Sequence, residues 1–118
     1  MREEFILAKT FTRRWKALGL TDNDLIYLEN FLHEEPFAGD IIQGTNGLRK
    51  LRIALPGKGK SGGARVCYIE LLNYGRIYLF RVYAKNEQSN LSMEERNELA
   101  KEIEKLKRYL QNGGREYE

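Results

Sequence analysis

Apolar residues recur along this chain with two different periods. In "TFTRRWKALGL", Phe11, Trp15 and Leu18 fall at i, i+4 and i+7, one face of a helix, and Gly19 stops it. Thr21 with Asp24 three residues on is a capping-box start for a second helix. Its stripe is Leu25, Leu28 and Leu32, helped by Phe31, and Pro36 marks its end. From Ile41 onward the period shortens to two. Leu51, Ile53 and Leu55 alternate with Lys50, Arg52 and Ala54, and "ARVCYIELL" (64–72) and "RIYLFRVYAK" (76–85) are rich in β-branched and aromatic residues. Asn73-Tyr74-Gly75 joins the last two as a tight turn. A final helix is capped by Ser92 with Glu95. Leu99, Ile103, Leu106 and Leu110 form its stripe, and Gly113-Gly114 ends it. Near the start, Phe5-Ile6-Leu7 reads as a short first strand.

The order is therefore β-α-α-β-β-β-α, an α+β fold. An N-terminal αα-hairpin and a C-terminal helix accompany an antiparallel sheet of sequential strands. Helices packed on one face would make two layers and leave the second sheet face open. At 118 residues the chain is expected to form a single domain, residues 1–112, with 113–118 a frayed tail. No run approaches a membrane span, and the N-terminus lacks the pattern of a signal peptide. The single cysteine, Cys67, sits in an apolar run and reads as a buried small hydrophobe; a reducing cytoplasm and no membrane partner are expected. One histidine and one cysteine make no soft-ligand zinc site, and no cofactor is expected. His33, beside Glu34 and Glu35, reads as a surface residue.

Charge changes the picture. Residues 41–86 carry nine Lys/Arg and one acid, Glu70, a net +8, whereas the rest of the chain is net −5. A basic centre between acidic flanks suggests a polyanion footprint; a solvated basic sheet face is the plainer alternative. Within this centre "ALPGKGKSGGARVCY" (54–68) contains Gly59-Lys60-Ser61, the tail of a phosphate-binding P-loop. The first glycine of that motif would be residue 54, which is Ala54, and a strand follows where a helix is needed. A nucleotide site is excluded. The glycines at 57, 59, 62 and 63 instead make an open loop in which Lys58 and Lys60 could follow a phosphodiester backbone, unless it is simply a solvated hairpin tip.

Strand alternation groups the other bases. Lys50 and Arg52 share a face opposite Leu51, Ile53 and Leu55. Arg81, Tyr83 and Lys85 share one opposite Tyr78, Phe80, Val82 and Ala84. Arg65 has Cys67, Ile69 and Leu71 on its own side, but the alternate set Val66 and Tyr68 is apolar too, so pattern alone does not orient it. Bases converging on one sheet face with an interleaved tyrosine have the composition of a single-stranded RNA site, in which cations hold phosphates and tyrosine stacks on a base.

"GLRKLRIALPGKGKSGGARVCY" followed by "YLFRVYAKNEQSNLS", with "FTRRWKALGLTDNDLIYLENFL" upstream, resembles the HigB-type branch of the RelE/ParE superfamily of bacterial toxins over roughly residues 5–110. The resemblance implies a RelE-like fold akin to small microbial ribonucleases, and the toxin of a type II toxin–antitoxin pair. Such a toxin enters the ribosomal A site and cuts messenger RNA during translation; its partner is a HigA-type helix-turn-helix antitoxin. Carried over residue by residue, the family's basic pair falls on Lys50 and Arg52. Its G-x-R-x-x-Y arginine and tyrosine fall on Arg65 and Tyr68, and the basic residue ending the last strand falls on Lys85. Several relatives place a tyrosine shortly after that base, and "NEQSNLS" offers none.

Metal-free RNA cleavage by attack of the 2′-OH needs a base, an acid and cations for the pentavalent phosphate. Without a histidine pair, lysine, arginine and tyrosine remain. Arg65 and Lys85 are expected to hold the transition-state phosphate and Lys50 and Arg52 to position the backbone. A lysine crowded by cations could act as base or acid. Arg49, Lys58, Lys60, Arg81, Tyr83 and Tyr68 complete the expected RNA-binding set. Two other readings stand beside this one: a ParE-like gyrase inhibitor and a non-catalytic nucleic-acid-binding module.

Overall fold

The computed structural model describes residues 2–55, 63–88 and 90–113. In chain order come β1 (Glu4–Leu7), α1 (Lys9–Ala17), α2 (Asp22–Glu34), β2 (Asp40–Ile41), β3 (Arg49–Ile53), β4 (Ala64–Leu71), β5 (Arg76–Ala84) and α3 (Met93–Gln111). The helices lie where periodicity and caps place them. Thr21 Oγ1 accepts from the Asp24 N–H at 3.1 Å while the Asp24 carboxylate accepts from the Thr21 N–H at 2.8 Å. Ser92 and Glu95 repeat this reciprocal cap at α3, both bonds being 3.1 Å. Trp15 Nε1 donates to the Thr21 carbonyl at 3.0 Å and fixes α1 against the start of α2. Phe31 is not part of the α2 stripe. It stands exposed, and with Tyr27, Leu51 and Ile53 it lines a groove of about 620 Å³ between α2 and β3.

The five strands form one sheet in the order β1-β5-β4-β3-β2. β3, β4 and β5 are the expected antiparallel meander, β1 joins β5 in parallel, and a two-residue β2 extends the far edge beyond the expected order. A short 3₁₀ turn, Leu72–Tyr74, connects β4 to β5, and Gly75 closes it in the left-handed region at φ +65°.

Helices cover both faces, not one, which corrects the two-layer expectation. Phe11, Trp15, Leu28 and Leu32 of α1 and α2 pack against Val66, Tyr68, Ile77, Leu79, Val82 and Ala84. Leu99, Ile103 and Leu110 of α3 pack on the opposite face against Leu48, Cys67, Ile69, Tyr78, Phe80 and Tyr83. The cause is in β4 and β5: both alternating sets of each strand are mainly apolar, so neither face can be left wholly to water.

A bulge also shifts the expected alternation of β5. Tyr68 pairs with Leu79 and Cys67 with Arg81, so Phe80 is the extra residue. Tyr78 and Phe80 therefore pack on the same side as Tyr83, while Val82 and Ala84 join Ile77 and Leu79 on the other. His33 departs from expectation as well. It is half-buried, with Nδ1 2.7 Å from the Glu3 carboxylate, and links α2 to the strand end of β1.

Candidate functional site

The site is read from the register. Residues paired across antiparallel strands point to the same face. Arg52 pairs with Arg65, and Arg65 with Tyr83, making one row across β3, β4 and β5. Lys50 pairs with Cys67, and Cys67 with Arg81, making the next row. Cys67 and Tyr83 belong to the core under α3. Both rows therefore lie on the α3 face, and this settles the orientation of Arg65. α3 crosses that face over Ile69, Tyr78 and Phe80, and leaves the basic rows at its N-terminal end.

Two arginines directly opposite each other in a strand pair repel. The single acid of the basic centre does not relieve them. Glu70 is bound by Arg49 on the other side of the sheet. Among the described residues, Lys50, Arg65 and Arg81 have no carboxylate partner. Lys50 Nζ is 3.4 Å from Asn90 Oδ1, and Arg81 Nη1 donates to Thr10 Oγ1 and to the Phe80 carbonyl, each at 2.9 Å. Arg52 is exposed, and its Nε passes so near Gly63 that a Cβ there would come within 3.3 Å. Lys85 lies just past the end of β5, exposed, with its N–H bonded to the Gly63 carbonyl at 2.9 Å.

The structure thus brings Lys50, Arg52, Arg65 and Arg81 together and sets Lys85 at the adjoining strand end. Arg49 and Tyr68 are not with them. They pair with each other on the face of α1 and α2. The Tyr68 hydroxyl donates to the Pro36 carbonyl at 2.8 Å and accepts from the Gly39 N–H at 2.9 Å. Arg49 donates to the Gly39 carbonyl at 2.8 Å and stacks its guanidinium 5.3 Å from the centre of the Phe37 ring. Both residues anchor the connection from α2 to β2. A base cannot stack on Tyr68, which is fully buried.

Tyr83 is on the basic face but only 5 % exposed, too enclosed to stack on a base. Burial pushes its hydroxyl up to about 12, so it stays protonated at neutral pH and can donate but not act as a base. Burial likewise raises the Cys67 thiol to about 12, against a weaker opposing pull from the Arg81, Lys50 and Arg65 charges, which rules it out as a nucleophile. Lys58 and Lys60 lie outside the described residues. Among the described residues no His, Cys, Asp and Glu are grouped to hold a metal ion.

One residue on this face was missed by sequence reasoning. Arg96 stands three residues before Leu99, at the head of the stripe that continues through Ile103, Leu106 and Leu110. The available signal was a charged residue at an a/d-type position of an otherwise apolar stripe.

Comparison with known proteins supplies a family. A family model described as "RelE toxin of RelE / RelB toxin-antitoxin system" matches residues 5–113. The fold is similar to that of the toxin RelE of E. coli in its free state, solved as an arginine-to-alanine double mutant. That similarity has a TM-score of 0.53 and 14 % identity, and covers 75 % of this chain and 90 % of that one.

Proposed function

The chain belongs to the RelE family of toxins of toxin–antitoxin systems, and on that premise we propose that it is a ribosome-dependent mRNA endonuclease of the HigB-type branch. Its partner would be a HigA-type helix-turn-helix antitoxin, and its place of action the cytoplasm. No helix among the described residues is long and apolar enough to cross a membrane, which is compatible with that location. The observation that carries the reading is the Arg52–Arg65 cross-strand pair flanked by Lys50 and Arg81. Four cations gathered on one face are what a polyanion that binds there would need.

In the proposed reaction the ribose 2′-OH attacks the neighbouring phosphorus, the bond to the 5′-oxygen breaks, and a 2′,3′-cyclic phosphate forms. The proton lost by the 2′-OH goes to a base, and the leaving 5′-oxygen takes one from an acid. Arg52 and Arg65, set side by side, would take the charge that grows on the non-bridging oxygens, usually the largest single contribution to such catalysis. Lys50 and Arg81 in the next row would hold the flanking backbone. Lys85 at the strand end would extend the track. Tyr83, fixed in its neutral form, takes no part as a base. Lys50 and Lys85 are then the groups left for proton transfer. A site with so few acid–base groups depends on outside orientation of its substrate, and positioning by the ribosome can supply several powers of ten in rate.

The test is primer extension on messages engaged by translating ribosomes, alongside the same RNA free in solution. Arg65→Ala is expected to lower cleavage about 100-fold or more, the usual loss for one donor to a transition-state oxyanion. Cutting of free RNA is expected to be negligible. An intact message in cells whose growth is nevertheless arrested, with DNA damage responses, would instead favour a gyrase target.

A further inference from the structure

Two side-chain polar atoms among the described residues are buried without a hydrogen-bond partner, the Tyr83 hydroxyl and Arg96 Nε. Both belong to the same face. Tyr83 ends the Arg52–Arg65 row, and Arg96 heads the α3 stripe whose next member, Leu99, packs in the same cluster as Tyr83. The two are close enough for the Arg96 charge, together with that of Arg65, to act on the Tyr83 hydroxyl. Buried polar groups in folded proteins are nearly always satisfied, and orphaned ones call for an explanation.

A structural role does not supply one. An arginine kept for the fold would hold a carboxylate or cap backbone carbonyls, and Arg96 makes no side-chain hydrogen bond or ion pair with a described residue. Glu95, its neighbour, is turned to the Ser92 N–H as the cap of α3 and to Gln88. The residues one turn away, Ser92 and Ala100, carry no charge. Arg96 is half-buried with its Nε enclosed and unpaired, and an apolar side chain at the head of this stripe would leave no such atom unsatisfied. What Arg96 lacks is an anion, and the face it overhangs is the one already furnished with Arg52, Arg65, Lys50 and Arg81.

We propose that Arg96 is a phosphate-binding residue of this site, contributed by α3, which takes a backbone phosphate of single-stranded RNA from the side opposite the sheet arginines. Substrate would thus lie between the helix N-terminal turns and the basic rows, gripped from two layers. The Tyr83 hydroxyl is a positioning donor beneath it. The proposal rests on the nucleic-acid reading above and adds a helix-borne contact to a site otherwise built from strands.

The experiment compares wild type with Arg96→Leu and Arg96→Lys in three readouts. On translating ribosomes, Arg96→Leu is expected to cut about 10- to 100-fold more slowly, the worth of a hydrogen bond to a charged group. Its Tm is expected to equal or exceed that of wild type, because a buried nitrogen without a partner has been replaced by an apolar side chain. Arg96→Lys, which keeps the charge without the fork, is expected to recover part of the rate. The third readout is binding of a 2′-O-methyl single-stranded RNA, which cannot be cut, as a function of salt. Removal of one phosphate contact should reduce the slope of log K against log salt by about 0.7. Undiminished cutting by Arg96→Leu, or a loss of cutting that follows a lowered Tm, overturns the proposal. If wild type cuts nothing, the endonuclease reading fails by itself, and the salt slopes still decide: a shallower slope for Arg96→Leu supports the contact, and equal slopes refute it.

Discussion

Side chains that read alike in the sequence have been given opposite tasks by one residue of strand parity. Lys50 and Arg52 reach the basic rows, while Arg49 between them turns to the other face and joins Tyr68 in holding Gly39 and Pro36. Tyr68→Phe should therefore cost about 1–3 kcal/mol in a denaturant melt, since it leaves the Gly39 N–H buried and unpaired, yet leave cleavage at low temperature unchanged. Gly39→Ala should destabilise too, because an added Cβ would meet the Lys50 carbonyl and the Tyr68 ring, each at 2.9 Å. The raised Cys67 and Tyr83 groups set an alkaline limit. Each is neutral in the fold and ionises more readily when unfolded, so stability is intact below the ordinary thiol value of 9.0 and falls as pH rises toward about 12. Cys67→Ala should flatten the early part of that decline in melts run from pH 8 to 11. Alternation in the sequence oriented Lys50 and Arg52 because their strand contrasts charged with apolar positions. It could not orient Arg65, since both alternating sets of β4 are mainly apolar, or expose the burial of Tyr83, which alternates with apolar residues but shares its set in the sequence with Arg81 and Lys85.

At the scale of elements, α3 carries both the packing of one sheet face and the border of the site. Leu99→Ala, at a fully buried position, should destabilise by about 2–5 kcal/mol. Ser92→Ala removes one half of the reciprocal cap and should cost about 1 kcal/mol, measured as a shift in the denaturation midpoint. It should also loosen the turns that carry Arg96, so that cleavage falls more than stability does. All three helices were legible, since each has a 3.6-residue stripe and two have a capping box. The side of the sheet on which α3 lies was not. An apolar stripe says that a helix must be covered, not by which face. The bulge at Phe80 was equally hidden, because one extra residue within a run of apolar and aromatic side chains leaves no mark in composition.

Over the whole molecule, the uneven charge of the sequence survives folding as a one-sided feature. Glu70, the single acid among residues 41–86, is spent on Arg49, and the four cations of the two rows stay together at the open end of the α3 face. Binding to any RNA should weaken steeply with salt, as expected when several phosphates are neutralised. Family membership, a RelE-like sheet and this charge arrangement all agree with a toxin that works on a polyanion. The measurement that tests the account most directly is primer extension on messages carried by translating ribosomes, with wild type, Arg65→Ala and the fold-preserving control Arg13→Ala on the exposed side of α1. The account predicts discrete cuts by wild type and the control, none in ribosome-free RNA, and loss of cutting by Arg65→Ala with its Tm unchanged or raised. Cutting by Arg65→Ala at the wild-type rate would contradict the assignment of the basic rows as the site that holds the phosphate.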